Sequence, residues 1–262
     1  MNQSKRWLLL LLLSGTLFAQ NNRLNTYNTI GWYNPFVTLK ISERIGIHLE
    51  TQIRRNDWIT QWQQLLYRVG INYQLHPHIL LRAGYAHAAT FVYGELPINV
   101  YGKPFNENRL FEMFQMTTKE GPVEFTHRFI LEQRFTGKYS SATVQKEDQT
   151  VYTNRVRYMV RLLLPFKGKE LKDKTGYIAA YDEIMIAFGK NVNANVFDQN
   201  RIGAIVGYRF NKAFRLEGGY IQQTLQFGRL VNNKNVFQTN SGIIVNAILA
   251  LDISKKKTTE QK

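Results

Sequence analysis

Acid–base or metal chemistry in this sequence would fall first to its five histidines, His48, His76, His78, His87 and His127. A hydrolase working at a lipid boundary needs a Ser nucleophile, a His base and a polar group that orients the ring. Ser140, Ser141 and Ser241 are the serines whose positions could meet His87 or His127 near a membrane edge, but no spacing links them. His76 and His78 flank Pro77 with no carboxylate nearby, which is weak ligation and ordinary turn composition. Asp182 and Glu183 are adjacent, so on a strand they point to opposite faces and cannot act as paired acids. Glu147 and Asp148 lie in a loop stretch with Lys138 and Lys146, where solvation accounts for them. There is no Cys, which excludes a disulfide scaffold and a thiolate metal site, and no glycine-rich phosphate loop. The expectation is therefore a protein that is not an enzyme and carries no cofactor and no metal. A lipid-modifying enzyme of the outer membrane is the least favoured reading.

What does recur is charge at every second position. In 127–135 one face carries Arg128, Ile130, Glu132 and Arg134 and the other His127, Phe129, Leu131, Gln133 and Phe135. The next segment sets Arg155, Arg157 and Arg161 against Tyr152, Val156, Tyr158, Val160 and Leu162. The same pattern places Glu50, Arg54 and Arg68 early in the chain, and Glu183, Arg201, Arg209, Arg215 and Glu217 late in it.

Period two over ten or more residues specifies strands. From 45 to 54 the apolar face holds Ile45, Ile47, Leu49 and Ile53, and from 64 to 75 it holds Leu65, Tyr67, Val69, Ile71, Tyr73 and Leu75. Alternation recurs from Leu80, Phe111, Val123, Tyr152, Tyr177, Asn200, Phe214 and Asn240. Trp58, Trp62, Leu65, Leu66 and Val69 also fit a helical stripe, leaving the start of one strand open. Links at 42–44, 76–78, 119–122 and 211–213 are short; those at 93–107, 137–150, 190–198 and 229–237 are longer, and 165–176 is too long for the short-turn slot it occupies. The N-terminus supplies Lys5 and Arg6, a run of six leucines from Leu8 to Leu13, and a small residue at Ala19, which together read as a cleaved secretory signal peptide over 1–19. No later stretch is long and apolar enough for a membrane helix. Net charge is +15, but 44% apolar and 20% charged residues exclude a disordered basic tail.

Strands of this kind behind a signal peptide predict an all-β fold: a single antiparallel, up-and-down transmembrane β-barrel over 20–254, followed by a basic polar tail over 255–262. Five hairpins from Ile45 give ten strands. The stretch 25–41 then holds either two more, broken near Asn34 and Pro35, or something outside the wall, and an even number with both ends in the periplasm favours twelve over ten. A charge on the lipid face near the midplane costs about 2–4 kcal/mol, so the apolar faces look outward and the charged faces fill the lumen.

Asn56-Asp57-Trp58, the segment 127–135, 154–158, Tyr181-Asp182-Glu183, 197–201 and Gly207-Tyr208-Arg209 together resemble the domain of unknown function 2490 family over roughly Thr29 to Ile253. That resemblance implies an outer-membrane β-barrel and supplies no reaction, ligand or catalytic residue. Two functions fit the lumen. Either Arg and Glu pair across a narrow interior, making a structural barrel, or surplus arginines line a small anion-selective pore. Outer-membrane lipids are the expected partner and nucleic acid is not, because an exported barrel does not ordinarily meet it.

Overall fold

The computed structural model describes residues 23–192 and 195–254; the leader at 1–19 and the tail at 255–262 lie outside the described residues. Eleven strands follow one another around a closed barrel: β1(Arg23–Lys40), β2(Ile45–Asn56), β3(Gln61–His76), β4(Ile79–Thr90), β5(Phe105–Glu120), β6(Val123–Lys138), β7(Gln149–Pro165), β8(Thr175–Phe188), β9(Phe197–Arg209), β10(Phe214–Val231) and β11(Lys234–Asp252). Consecutive strands pair antiparallel throughout. The strand number is neither twelve nor ten. Residues 25–40 of that stretch lie in the wall within one strand, β1, and Pro35 falls where the β1–β2 ladder skips from Tyr33 to Phe36, so its missing N–H breaks no bond on that side.

An odd number forces the closing pair to run the same way. β1 and β11 are parallel from Arg23↔Asn235 to Lys40↔Asp252. The barrel strands therefore begin at one rim and finish at the other, in place of two ends on one side. Side chains bond across this seam at a constant sequence separation: Asn28 Nδ2 to Asn240 Oδ1 at 2.9 Å, Asn34 Nδ2 to Asn246 Oδ1 at 2.9 Å and Lys40 Nζ to Asp252 Oδ2 at 3.0 Å. Gly242 permits the closure. A Cβ there would stand 1.8 Å from the Ile30 carbonyl oxygen.

Apolar residues ring the outer face, with Tyr67, Val69, Ile71, Val156, Ile202, Val206 and Tyr220 all exposed. One rim carries short turns and the other most of the long loops. Residues 229–237 are an exception: β10 and β11 are joined by Asn232 and Asn233 alone, at φ of 50° and 58°, the left-handed pair that a tight hairpin requires. The helical stripe from Trp58 does not form either. Asp57 and Trp58 turn at φ of 47° and 64°, and β3 begins at Gln61.

The over-long segment 166–174 has a packing role. It folds back over the short-turn rim, where Leu171 packs on an interior cluster of Ile30, Trp32, Leu163, Tyr177, Ala179, Ile205, Ile221 and Ile244. The interior is thus apolar on one side, beyond the charged filling expected. Gly203 and Gly207 on β9 admit the rings of Tyr181 and Tyr177, since a Cβ would lie 2.2 Å from the first and 2.3 Å from the second.

Candidate functional site

β6 and β7 set Glu132 directly opposite Arg155 on the inner face. Each is about 1% exposed, so neither charge can be left to water. Arg155 donates through Nε to Glu132 at 2.7 Å and through Nη1 to Asp198 at 2.6 Å. Arg157 bridges Glu132 at 2.8 Å and Glu183 at 2.7 Å. Arg68 bonds Glu50 at 2.7 Å and reaches within 3.8 Å of Glu132. Glu183 also receives Arg128 at 3.0 Å and lies 3.6 Å from Arg201. Buried ions persist when each is paired and its remaining donors are bonded, because solvation withdrawn by the protein has to be replaced by it. This layer pairs its ions by sharing carboxylates between guanidinium forks, while the Nε of Arg68, Arg128 and Arg201 is buried without an acceptor among the described residues.

Charge continues towards both rims. On the loop side Arg134 holds Glu107 through two bonds, 2.6 and 2.9 Å, and Asp198 at 3.0 Å, and Arg109 donates to Glu107 at 2.5 Å. On the turn side Glu217 accepts from Arg161 at 2.5 Å, Tyr177 at 2.6 Å and Asn246 at 2.9 Å. Two cavities flank the layer. One of about 290 Å³ opens towards the loops, and one of about 350 Å³ towards the short turns; their linings share only Arg201, and neither includes Glu132 or Arg155. The side chains lining them, with the Glu132–Arg155 pair between, comprise eleven arginines and one lysine against seven carboxylates.

Of the residues read from sequence, Glu50, Arg68, Arg128, Glu132, Arg134, Arg155, Arg157, Arg161, Glu183, Arg201 and Glu217 join these contacts. Arg54 is buried but meets no carboxylate within 4.0 Å among the described residues, bonding Gln64 at 2.6 Å and Gln52 while lying over Trp32. Arg215 lines the turn-side cavity without an ion pair among the described residues, and Arg209 leaves the group for the rim, where it meets Asp173 at 3.0 Å. Sequence reading missed Glu107, Arg109, Asp198 and Arg82. Period two would have found the first three had the strands been started earlier, since β5 begins at Phe105 and β9 at Phe197, ahead of Phe111 and Asn200.

The histidines and serines go elsewhere. His48 faces the interior and lies 3.4 Å from Glu50; His87 bonds Asn108 and His127 bonds Tyr158, both at 2.9 Å, on the outer face. Ser140 bonds Asp148 and Ser141 bonds Thr143. Asp182 turns outward to Asn200 at 2.6 Å while Glu183 turns in. Glu147 accepts from the Asn106 amide, which ties its loop to β5.

A family model described as a protein of unknown function, DUF2490, matches residues 29–233. The chain belongs to this family. The family match runs from within β1 to the β10–β11 turn, taking in part of β1 and the whole of β2 to β10 of the DUF2490 wall; β11 lies beyond it, so the match stops short of the Ile253 limit read from sequence. No curated protein and no solved structure matches the chain.

Proposed function

We propose that this DUF2490 protein is an exported outer-membrane barrel with a structural role, whose lumen is closed at mid-height by an Arg/Glu layer and does not conduct. The observation that carries this reading is the burial of Glu132 and Arg155, each about 1% exposed, between two cavities whose linings share only Arg201. The outward band that includes Ile71, Val156 and Val206 suits a hydrocarbon surround, where backbone polar groups must be satisfied inside a closed sheet. Inside the barrel Thr38 Oγ1 lies 3.3 Å from His48 Nδ1, and His48 Nε2 lies 3.4 Å from Glu50; the reading assigns no catalysis to these side chains. Lipids of the membrane are its proposed partners.

A second reading rests on the cation excess: unneutralised guanidinium groups at an open constriction select anions. Planar-bilayer recording of the purified, refolded chain separates the two. The closed reading expects conductance at the detection floor; large, anion-selective steps promote the pore. Fractionation of the exported protein, with N-terminal sequencing, tests location and cleavage after Ala19. Recovery in the soluble periplasmic fraction would overturn the membrane assignment.

A further inference from the structure

The loop-side cavity holds more cation than its own walls can neutralise. Its carboxylates are Glu107 and Asp198, and both are already engaged, the first by Arg109 and Arg134 and the second by Arg134 and Arg155. Arg54 is 6% exposed, and among the described residues it meets the Gln52 and Gln64 side-chain oxygens and the Trp32 ring, 4.0 Å from its guanidinium carbon. Arg201 lies over the same ring at 5.0 Å, and its nearest carboxylate is 3.6 Å away. The Nε of Arg54 and the Nε of Arg201 are both buried and have no acceptor among the described residues. Lys138 lines the cavity without a carboxylate partner among the described residues.

Two guanidinium groups stacked on one indole repel each other unless something negative lies between or beside them. A buried charge without a counter-charge is costly, and water in a space this enclosed replaces only part of its hydration. An oxyanion removes both defects, because its oxygens accept from the guanidinium edge, a geometry that arginine matches better than lysine. The cavity, about 290 Å³, admits a small solute but not a folded partner. Ile98, from the 91–104 loop that Arg229 holds through the Pro97 carbonyl at 2.5 Å, forms part of its lining.

We infer that the loop-side cavity binds a small soluble oxyanion, a phosphate- or carboxylate-bearing solute held by Arg54 and Arg201 with Lys138 at the entrance. The site requires neither a membrane location nor a closed lumen, so its failure and that of the structural reading are separable.

The test uses the full mature chain refolded in detergent, with sodium phosphate, sodium citrate and sodium chloride compared at matched ionic strength. A ligand that binds the native state raises the unfolding midpoint by mass action. Phosphate or citrate is expected to raise it beyond chloride and to titrate calorimetrically at one site; which of the two does so assigns phosphate or carboxylate chemistry. Arg54→Gln is expected to weaken binding at least tenfold while the unliganded variant unfolds no earlier than the unmodified chain. Lys138→Gln, at the exposed rim, is expected to weaken binding several-fold and does not depend on tolerance of a change in the interior. Arg215→Gln, in the other cavity, should bind as the unmodified chain does. No stabilisation beyond chloride by either anion, or equal affinity in the unmodified chain and both cavity variants, overturns the inference.

Discussion

Glu132 on β6 and Arg155 on β7 face each other across one rung of the sheet, and both are closed off from solvent. The pair is the centre of a layer in which Glu132 is also reached by Arg157 and Arg68 and Arg155 also by Asp198. Removing one partner leaves the others charged and dry. Glu132→Ala is expected to cost about 3–5 kcal/mol, the range for breaking a buried ion pair. The double variant Glu132→Ala, Arg155→Ala should cost less than the two single changes added together, because the stranded charge goes too. Denaturant unfolding of the four proteins measures both; additive losses would mean the two side chains act independently.

Closure depends on the β1–β11 seam, and Gly242 marks its tightest approach. Gly242→Ala would drive a methyl into the Ile30 carbonyl and is expected to destabilise the barrel by about 1–3 kcal/mol. Gly218 on β10 has nothing within 4 Å of its would-be Cβ, so Gly218→Ala should leave the unfolding midpoint nearly unchanged. Heat-modified migration in gels, comparing unboiled samples over a temperature series, ranks the two. Equal behaviour would count against the seam geometry.

The 91–104 loop is fastened at a distance. Arg229 donates to the carbonyls of Ile98 at 3.3 Å and Pro97 at 2.5 Å, while Leu96 and Ile98 pack on Leu225, Phe227 and Val236. Arg229→Ala should speed amide exchange at 95–101 about fivefold, as loss of a bond worth about 1 kcal/mol allows more frequent opening. Conductance should not rise with it, since the Glu132–Arg155 layer lies deeper than the loop. An increase in current would move the barrier from the layer to the loop.

Outward positions test the surround. Val156→Arg and Val206→Arg place a charge on the exposed apolar band and are expected to cost about 2–4 kcal/mol for folding into lipid bilayers, with little effect in detergent micelles, where water reaches the side chain. Equal stability of variant and unmodified protein in vesicles would remove the hydrocarbon from around these residues.

Acid should loosen one loop before the barrel. The Ser140 hydroxyl and amide both donate to Asp148, holding its carboxyl below the usual aspartate range. A carboxylate with a depressed native value stabilises above its unfolded value and loses that contribution as pH falls through the native one. Exchange of the Ser140 amide should therefore accelerate as the solution is acidified below the ordinary aspartate range, and Asp148→Asn should abolish that dependence. A flat profile in the unmodified protein would show that the contact is not holding the loop.

The wall of this protein is legible in its sequence because the strand period of two is local: each side chain's face is fixed by its neighbours two residues away. Val156 and Tyr158 could be sent outward and Arg155 and Arg157 inward on that ground alone, and the interior of β6 and β7 followed. Pairing across a barrel is not local. The period says nothing of whether Asn25 to Lys40 makes two strands or one, and only the wall's closure, with Asn34 meeting Asn246 across the seam, makes it a single strand and the total eleven. Tight turns escaped for a similar reason, since Asn232 and Asn233 carry positive φ that a run of polar residues shares with any loop. Tertiary structure likewise decided which inward charges find partners. Glu132 is shared by three arginines, whereas Arg54, on an equally inward face, has the Trp32 ring and two amides and no carboxylate among the described residues, because neutralisation depends on which strands curl within reach of one another.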